Sequence, residues 1–292
     1  MWTRLTPPIF SPVKERQGGE GNVAEMPKKL DWTEILPKGY LSPSAIDAYL
    51  MCPKAYEYRY VKKQKDKPSP ALSEGLTLHE TLAWINQQVD DGEDWNIEDA
   101  LAFWDVAWVG HCHDEAFLEG YDASLEEIRE RAEGFLKGWK KTHLPKISSM
   151  STIEGRVQGV VEGIPILGYV DLIYSFKHPE VKRRKIKRLI DFKVVKRAKS
   201  ERDALNSVQL GIYSILTGIR NVGFVCFNKQ TKKITTTYVT LEDKHIKRVK
   251  GVVRSIAEAI KKTSFPVCDP GHWKCSEKFC DAFEVCPQGG GE

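Results

Sequence analysis

The chain has 292 residues, 41% of them hydrophobic, which suffices for one large core or two smaller ones and excludes a chain that is disordered over most of its length. No run of about eighteen apolar residues is present, and the opening MWTRLTPPIFSPVKERQGGEG lacks a basic-then-apolar leader, so a soluble protein of the reducing cytoplasm is expected, with no membrane partner. The net charge of +4 conceals an acidic stretch between Asp90 and Glu133 and a basic one from Lys182 to Arg202, and a positive field of that kind suits a polyanion.

Residues 1–38 are rich in Pro, Gly and Lys without sustained periodicity and read as a flexible N-terminal arm, leaving 39–292 as a single domain. The region 41–143 is mainly helical. Ser44 is positioned to cap a first helix with Ile46, Tyr49 and Leu50 on its apolar stripe, and Pro53 restarts the chain in a second helix through Tyr56 and Tyr60, leaving Cys52 at the bend. Helices over 72–89, containing His79, 97–118 and 124–142 follow. The pattern then changes to period two, predicting strands at 151–161, 164–175 and 186–195, with Glu162-Gly163 as a tight turn. A helix over 202–216, strands at 222–228 and 234–240, a helix over 242–262 and a cysteine-rich tail complete the chain. This order implies an α/β fold, a mixed β-sheet flanked by helices with N-terminal helical additions; its α/β core takes in about 72–90 and 151–241, and the last helix and tail 242–287.

The stretch RLIDFKVVKR, residues 188–197, reads as a buried strand interrupted by Asp191 and Lys193, which a strand's alternation places on one face. The preceding strand carries Asp171 among Leu167, Val170, Leu172 and Ile173. An unpaired carboxylate in a core is costly, so both acids need cations of the protein or a metal. A hard divalent ion such as Mg²⁺ takes oxygen ligands, and a lysine beside it can position or deprotonate a water and steady charge on a phosphate. Singly, these residues have plainer readings: a surface ion pair, a helical histidine, ordinary amphipathic packing.

Asp171 followed after a hairpin by Asp191-Phe192-Lys193 resembles the PD-(D/E)XK nuclease superfamily. His79 in GLTLHETL, and Gln209 and Tyr213 in VQLGIYS, extend the likeness to the RecB-like branch, which includes the CRISPR adaptation nucleases and the nuclease domain of AddB. These motifs occur in the family order over about 135 residues. Gly168-Tyr169-Val170 stands where the family pattern has a proline before the first acid, a mild departure. The resemblance implies a restriction-endonuclease-like core and a Mg²⁺- or Mn²⁺-dependent deoxyribonuclease. His79, Asp171 and Asp191 would hold the metal together with the backbone carbonyl of Phe192. Lys193 would act on the attacking water, and Gln209 and Tyr213 would orient Lys193 or the phosphate. Glu154, on the first strand, would lie near substrate, and Lys196 and Arg197 would contact the DNA backbone without reading sequence.

Seven cysteines in a reducing compartment argue against a disulfide framework. Cys275, Cys280 and Cys286 have the spacing C-x4-C-x5-C, and with the distant Cys52 they resemble the iron-sulfur staple of AddB-type and CRISPR-associated nucleases, which implies a [4Fe–4S] cluster. Two alternatives stay open: a structural Zn²⁺ on the same thiolates, and Cys268 in place of one of the four. Cys112 and Cys226 read as small core residues.

The resemblance therefore implies an exonuclease acting on single-stranded DNA ends in recombination, repair, CRISPR adaptation or phage DNA metabolism. The alternative is an iron-sulfur DNA-binding or structural subunit with little nuclease activity of its own. The chain lacks G-x-x-x-x-G-K-[ST], so unwinding would fall to a helicase, integrase or recombination partner.

Overall fold

The structure, a computed structural model, describes residues 31–65, 69–112, 115–119, 121–178, 180–181 and 184–290. Residues 1–30 of the expected arm, and Lys182 and Arg183 of the basic stretch, lie outside these. The last part of the expected arm carries the short helix α1 (Trp32–Ile35), with Trp32 and Leu36 buried in the core.

Among the described residues, five strands form one mixed sheet in the order β1 (Ser149–Val161), β2 (Ile164–Lys177), β3 (Lys185–Val195), β4 (Asn221–Asn228) and β5 (Lys233–Thr240). Only the β3–β4 pair is parallel, as it must be, because a helical crossover joins those two strands while the others are joined by turns. The β1–β2 turn at Glu162-Gly163 has φ +55° and +82°, the pair of left-handed residues that matches strand twist in a two-residue hairpin.

Both faces of the sheet are covered. Leu172, Ile190, Phe192, Val225 and Phe227 pack on one face against α4 (Pro70–Asp91), α5 (Ile97–His111) and α6 (Leu125–Gly138). Ile173, Leu189, Phe224 and Cys226 pack on the other against α2 (Pro43–Met51), α8 (Val208–Thr217) and α9 (Asp243–Lys261). No helix among the described residues is long and apolar enough to cross a membrane.

Three local expectations are corrected. The cap of α2 is Ser42, whose hydroxyl accepts from the Ala45 amide at 3.1 Å, because Pro43 with its fixed φ fills the first helical position and moves the cap two residues ahead of Ser44. The helix predicted over 202–216 is two, α7 (Glu201–Asn206) and α8, parted at Ser207, which takes φ −65°, ψ 121° and caps α8. The helix predicted to 118 ends at His111.

After α3 (Pro53–Tyr56), a π-helical stretch over Glu57–Val61 meets the C-terminal tail, with Tyr58 Oη donating to Val285 O. The tail has only short turns of its own, and hydrogen bonds hold it to the N-terminal helices: Lys54 N–H to Pro266 O at 3.1 Å, Tyr49 Oη to Ser264 O at 2.6 Å and Gln64 Nε2 to Asp281 O at 2.9 Å.

Candidate metal centre

The β2–β3 ladder runs from Lys177–Lys185 to Leu172–Ile190 and stops there; beyond it β2 continues beside β1 and β3 beside β4. The strands fork at Asp171 and Asp191. The amide of Phe192, beyond the last β2–β3 pair, donates instead to Asp171 Oδ2 at 2.6 Å, which satisfies a buried donor and fixes the carboxylate at once.

Three further elements close on the fork. His79 comes from α4, its Nδ1 3.6 Å from Asp171 Oδ2 and 3.9 Å from Glu154 Oε1, and its ring edge meets Phe192 with centroids 5.9 Å apart. Glu154 lies between the Ile153–Leu172 and Gly155–Val170 pairs, opposite Asp171, with φ +43°, a left-handed conformation that few non-glycine residues adopt inside a strand. From α8, Gln209 Oε1 accepts from Lys193 Nζ at 3.2 Å, and Gln209 Nε2 reaches Tyr213 Oη at 3.5 Å. Lys193 Nζ also stands 2.7 Å from Asp191 Oδ2; the Asp191 side chain is 2% exposed and that of Lys193 31%. The carboxylate is thus sealed in, while the lysine it holds keeps part of its side chain exposed.

Gly168, in the segment before Asp171, has a steric reason of its own. A Cβ there would lie 2.7 Å from Tyr213 Cε1 and 3.1 Å from Pro43 Cδ, so the bare backbone gives room for the Tyr213 ring and for α2.

Burial, then the neighbouring Asp191 and Glu154 charges, pushes the Asp171 carboxyl well above its usual range. Glu154 is raised to about 7, by burial first and then by Asp191 and Glu80. Burial pushes the His79 imidazole down despite the pull of Asp191, leaving it neutral and fit to ligate. For Lys193, burial opposes the charged form, but the Asp191 carboxylate beside it outweighs that and the net shift is upward. Crowded acids around a neutral imidazole form a site that a cation would complete.

Among the described residues, His79, Glu154 and Asp171 are the one set of three ligating side chains whose donor atoms all lie within 4.8 Å of one another. Glu154, expected beside the substrate, thus stands within this set, while Asp191 stands at its edge, paired to Lys193. The expected Lys196 is exposed and paired with Asp122 at 2.5 Å, and Arg197 is exposed. Asp47 on α2 was not foreseen: burial raises its carboxyl to about 6, and the charges of Lys193 and Asp191 act on it. In the sequence it reads as an ordinary first-turn acid, and only the packing of α2 over the fork brings it near.

A second group gathers at the tail. Cys52, in an extended conformation with φ −159°, lines one enclosed cavity together with Cys268, Cys275, Cys280 and Cys286. Cys268 is in hydrogen-bond contact with Cys52 and Cys275, and burial followed by those neighbours pushes its thiol up to about 12. Five cysteines therefore converge where four were expected. Cys226 is fully buried, its Sγ accepting from the Lys199 amide at 3.5 Å.

The model of the PD-(D/E)XK nuclease superfamily matches residues 40–287 of this sequence. No curated protein matches it. In all, 29 solved chains do. One is a crystal structure described as a "putative exonuclease" from Eubacterium rectale, 13% identical, covering 88% of this chain and 92% of that one with a TM-score of 0.48. Another is the crystal structure of SSO0001, 15% identical, covering 85% of each chain with a TM-score of 0.38.

Proposed function

Because the chain belongs to the PD-(D/E)XK nuclease superfamily, we propose that it is a Mg²⁺- or Mn²⁺-dependent deoxyribonuclease of the RecB-like branch that degrades single-stranded DNA from an end. The observation that carries this reading is the fork, where an imidazole and two carboxylates converge within 4.8 Å beside an Asp191–Lys193–Gln209 chain. One nitrogen and two oxygens are a hard donor set that fits a small divalent ion. His79, Glu154 and Asp171 would hold it, with Asp191 and the Phe192 carbonyl at its edge. When bound, such an ion supplies Lewis-acid polarisation at the phosphate and a more acidic water.

The chain's own groups do the rest. Asp191 keeps Lys193 fixed in direction, and Gln209, steadied by Tyr213, keeps it from swinging away. The Lys193 ammonium is then placed to donate to a phosphoryl oxygen or to the attacking water and to offset charge that develops at phosphorus. Lys196 and Arg197 would hold the strand at the fork through its phosphates, without sequence preference.

The same reading assigns a [4Fe–4S] cluster to Cys52, Cys275, Cys280 and Cys286, with Cys268 as a fifth thiol alongside. Four thiolates suit a [4Fe–4S] cluster, and a structural Zn²⁺ on the same thiolates is the alternative. The cellular setting would be recombination, repair, CRISPR adaptation or phage DNA metabolism, with a helicase, integrase or recombination protein as partner.

The test is to purify the protein without oxygen and incubate it with end-labelled linear and circular single strands and Mn²⁺. The expected result is a brown protein that shortens linear strands progressively, spares circles and stops when a chelator is added. Cutting of circles would overturn the exonuclease assignment, chelator-insensitive cleavage the metal assignment, and a colourless zinc-loaded protein the cluster. Tight DNA binding without any cleavage would favour the binding-subunit alternative.

A further inference from the structure

A second cleft, of about 700 Å³, lies away from the fork at the closed end of the β2–β3 ladder. Tyr174 and Trp139, both buried, floor it, and the ring of His143 stacks on Trp139 with centroids 5.2 Å apart and 13° between planes. Arg188 of β3 is clasped between two rings, 4.2 Å from the centroid of Phe176 and 3.7 Å from that of Tyr238. Its Nε donates to Asn221 Oδ1 at 2.5 Å, so the guanidinium is fixed rather than free to sweep.

Tyr238 reaches Arg188 across β4 because Gly223 leaves the way open; a Cβ at Gly223 would lie 2.6 Å from Tyr238 Cδ1. Around the rim stand the exposed Lys146, Lys177 and Lys185, drawn from three separate segments. No Asp or Glu is among the described residues that line the cleft. His143 is held neutral, its imidazole lowered to about 4 by burial and then by Lys146, and so serves as a ring rather than a charge.

The half-buried rings of His143, Phe176 and Tyr238, backed by the buried Trp139 and Tyr174, with cations at the rim and no acid among the described lining residues, form a surface that suits unpaired bases with their phosphates. Three lysines from separate segments match the successive phosphates of a strand better than the single phosphate of a free nucleotide. A duplex would keep its bases stacked away from the rings. We propose that this cleft is a second binding site for single-stranded DNA, separate from the catalytic fork, which holds a stretch of strand beyond the bond being cut. The proposal rests on the reading of the chain as a nuclease of single strands.

The test uses the full-length protein carrying Asp171→Asn, so that the strand survives, and measures binding of fluorescein-labelled oligo-dT by anisotropy over a series of salt concentrations. Lys146→Glu, Lys177→Glu and Lys185→Glu together should weaken binding by roughly tenfold or more and reduce the salt slope by about two, the figure for three lost phosphate contacts on a single strand. Phe176→Leu, which removes a ring and no charge, should weaken binding by roughly fivefold or more with the slope unchanged. Single-strand affinity within about twofold of the parent for both variants would overturn the cleft. The nuclease reading fails separately: if the protein with Asp171 intact leaves end-labelled single strands whole in Mn²⁺, that reading is lost whatever the anisotropy shows.

Discussion

At Glu154 the backbone takes φ +43° within a thirteen-residue strand, a conformation that costs on the order of 1–3 kcal/mol and turns the carboxylate towards Asp171 and His79. Glu154→Gly removes both the strain and a crowded acid, so the metal-free variant should melt higher than the parent while its affinity for Mn²⁺ falls by roughly tenfold or more; calorimetry reads both. A second residue sets a pH dependence. The folded-state pKa of His143 is lowered from 6.5 to about 4, so the unfolded chain takes up this proton at higher pH than the folded one. The stability it contributes is complete above about pH 6.5 and is lost as pH falls towards about 4. Melting temperatures should decline across that window, and His143→Phe should flatten that part of the decline. Asp171, Asp191 and Lys193 stand out in the sequence as charges in apolar strands, whereas Gln209 and Tyr213 were grouped with them only by the family resemblance; the structure brings Lys193 against Asp191 and Gln209. The nearness of Glu154 to His79 was not legible, because it depends on one left-handed residue, and that of Asp47 was not, because it depends on how α2 packs.

At the scale of elements, all five strands were legible to within two residues, since period-two runs of β-branched residues have few other readings and Glu162-Gly163 demands a tight turn. The break at Ser207 was not: 202–216 keeps helical periodicity through it, and the cap shows itself only in the backbone. That break matters for the site, because α8 begins at Val208 and carries Gln209 in its first turn. Gly211 then sets how closely α8 approaches α9, since a Cβ there would lie 2.4 Å from Val249 Cγ2. Gly211→Ala should therefore push α8 outward, cost about 1–3 kcal/mol of stability in denaturant unfolding and lower the nuclease rate more than it alters DNA binding, because Gln209 moves with the helix. The same physics explains Gly168, where the absence of a side chain leaves room for Tyr213.

Across the whole molecule, the site depends on long-range clamps that no local pattern encodes. Glu74 on α4 lies five residues before His79 and is almost fully buried. It accepts from Lys229 at 2.8 Å, Tyr121 at 2.9 Å and Arg131 at 3.2 Å, tying α4 to the β4–β5 turn and to α6. Glu74→Gln would leave two buried cations without a counter-charge and should cost about 3–5 kcal/mol, to be read as a lowered denaturation midpoint. At the opposite end of the chain order, five cysteines bring the tail against α2 and α3, joining residues more than two hundred positions apart. The sequence offered Cys268 in place of one of the four; that all five line one cavity shows only in the structure.

If the proposed function holds, the fork between β2 and β3 is where DNA is cut. The most direct measurement is the single-turnover rate of degradation of an end-labelled single strand in Mn²⁺, compared between the protein and Asp171→Asn, with both shown to be folded and to bind the strand. The fork predicts a loss of about a thousandfold or more. A variant within about tenfold of the parent, or cleavage that persists when a chelator is added, would contradict it.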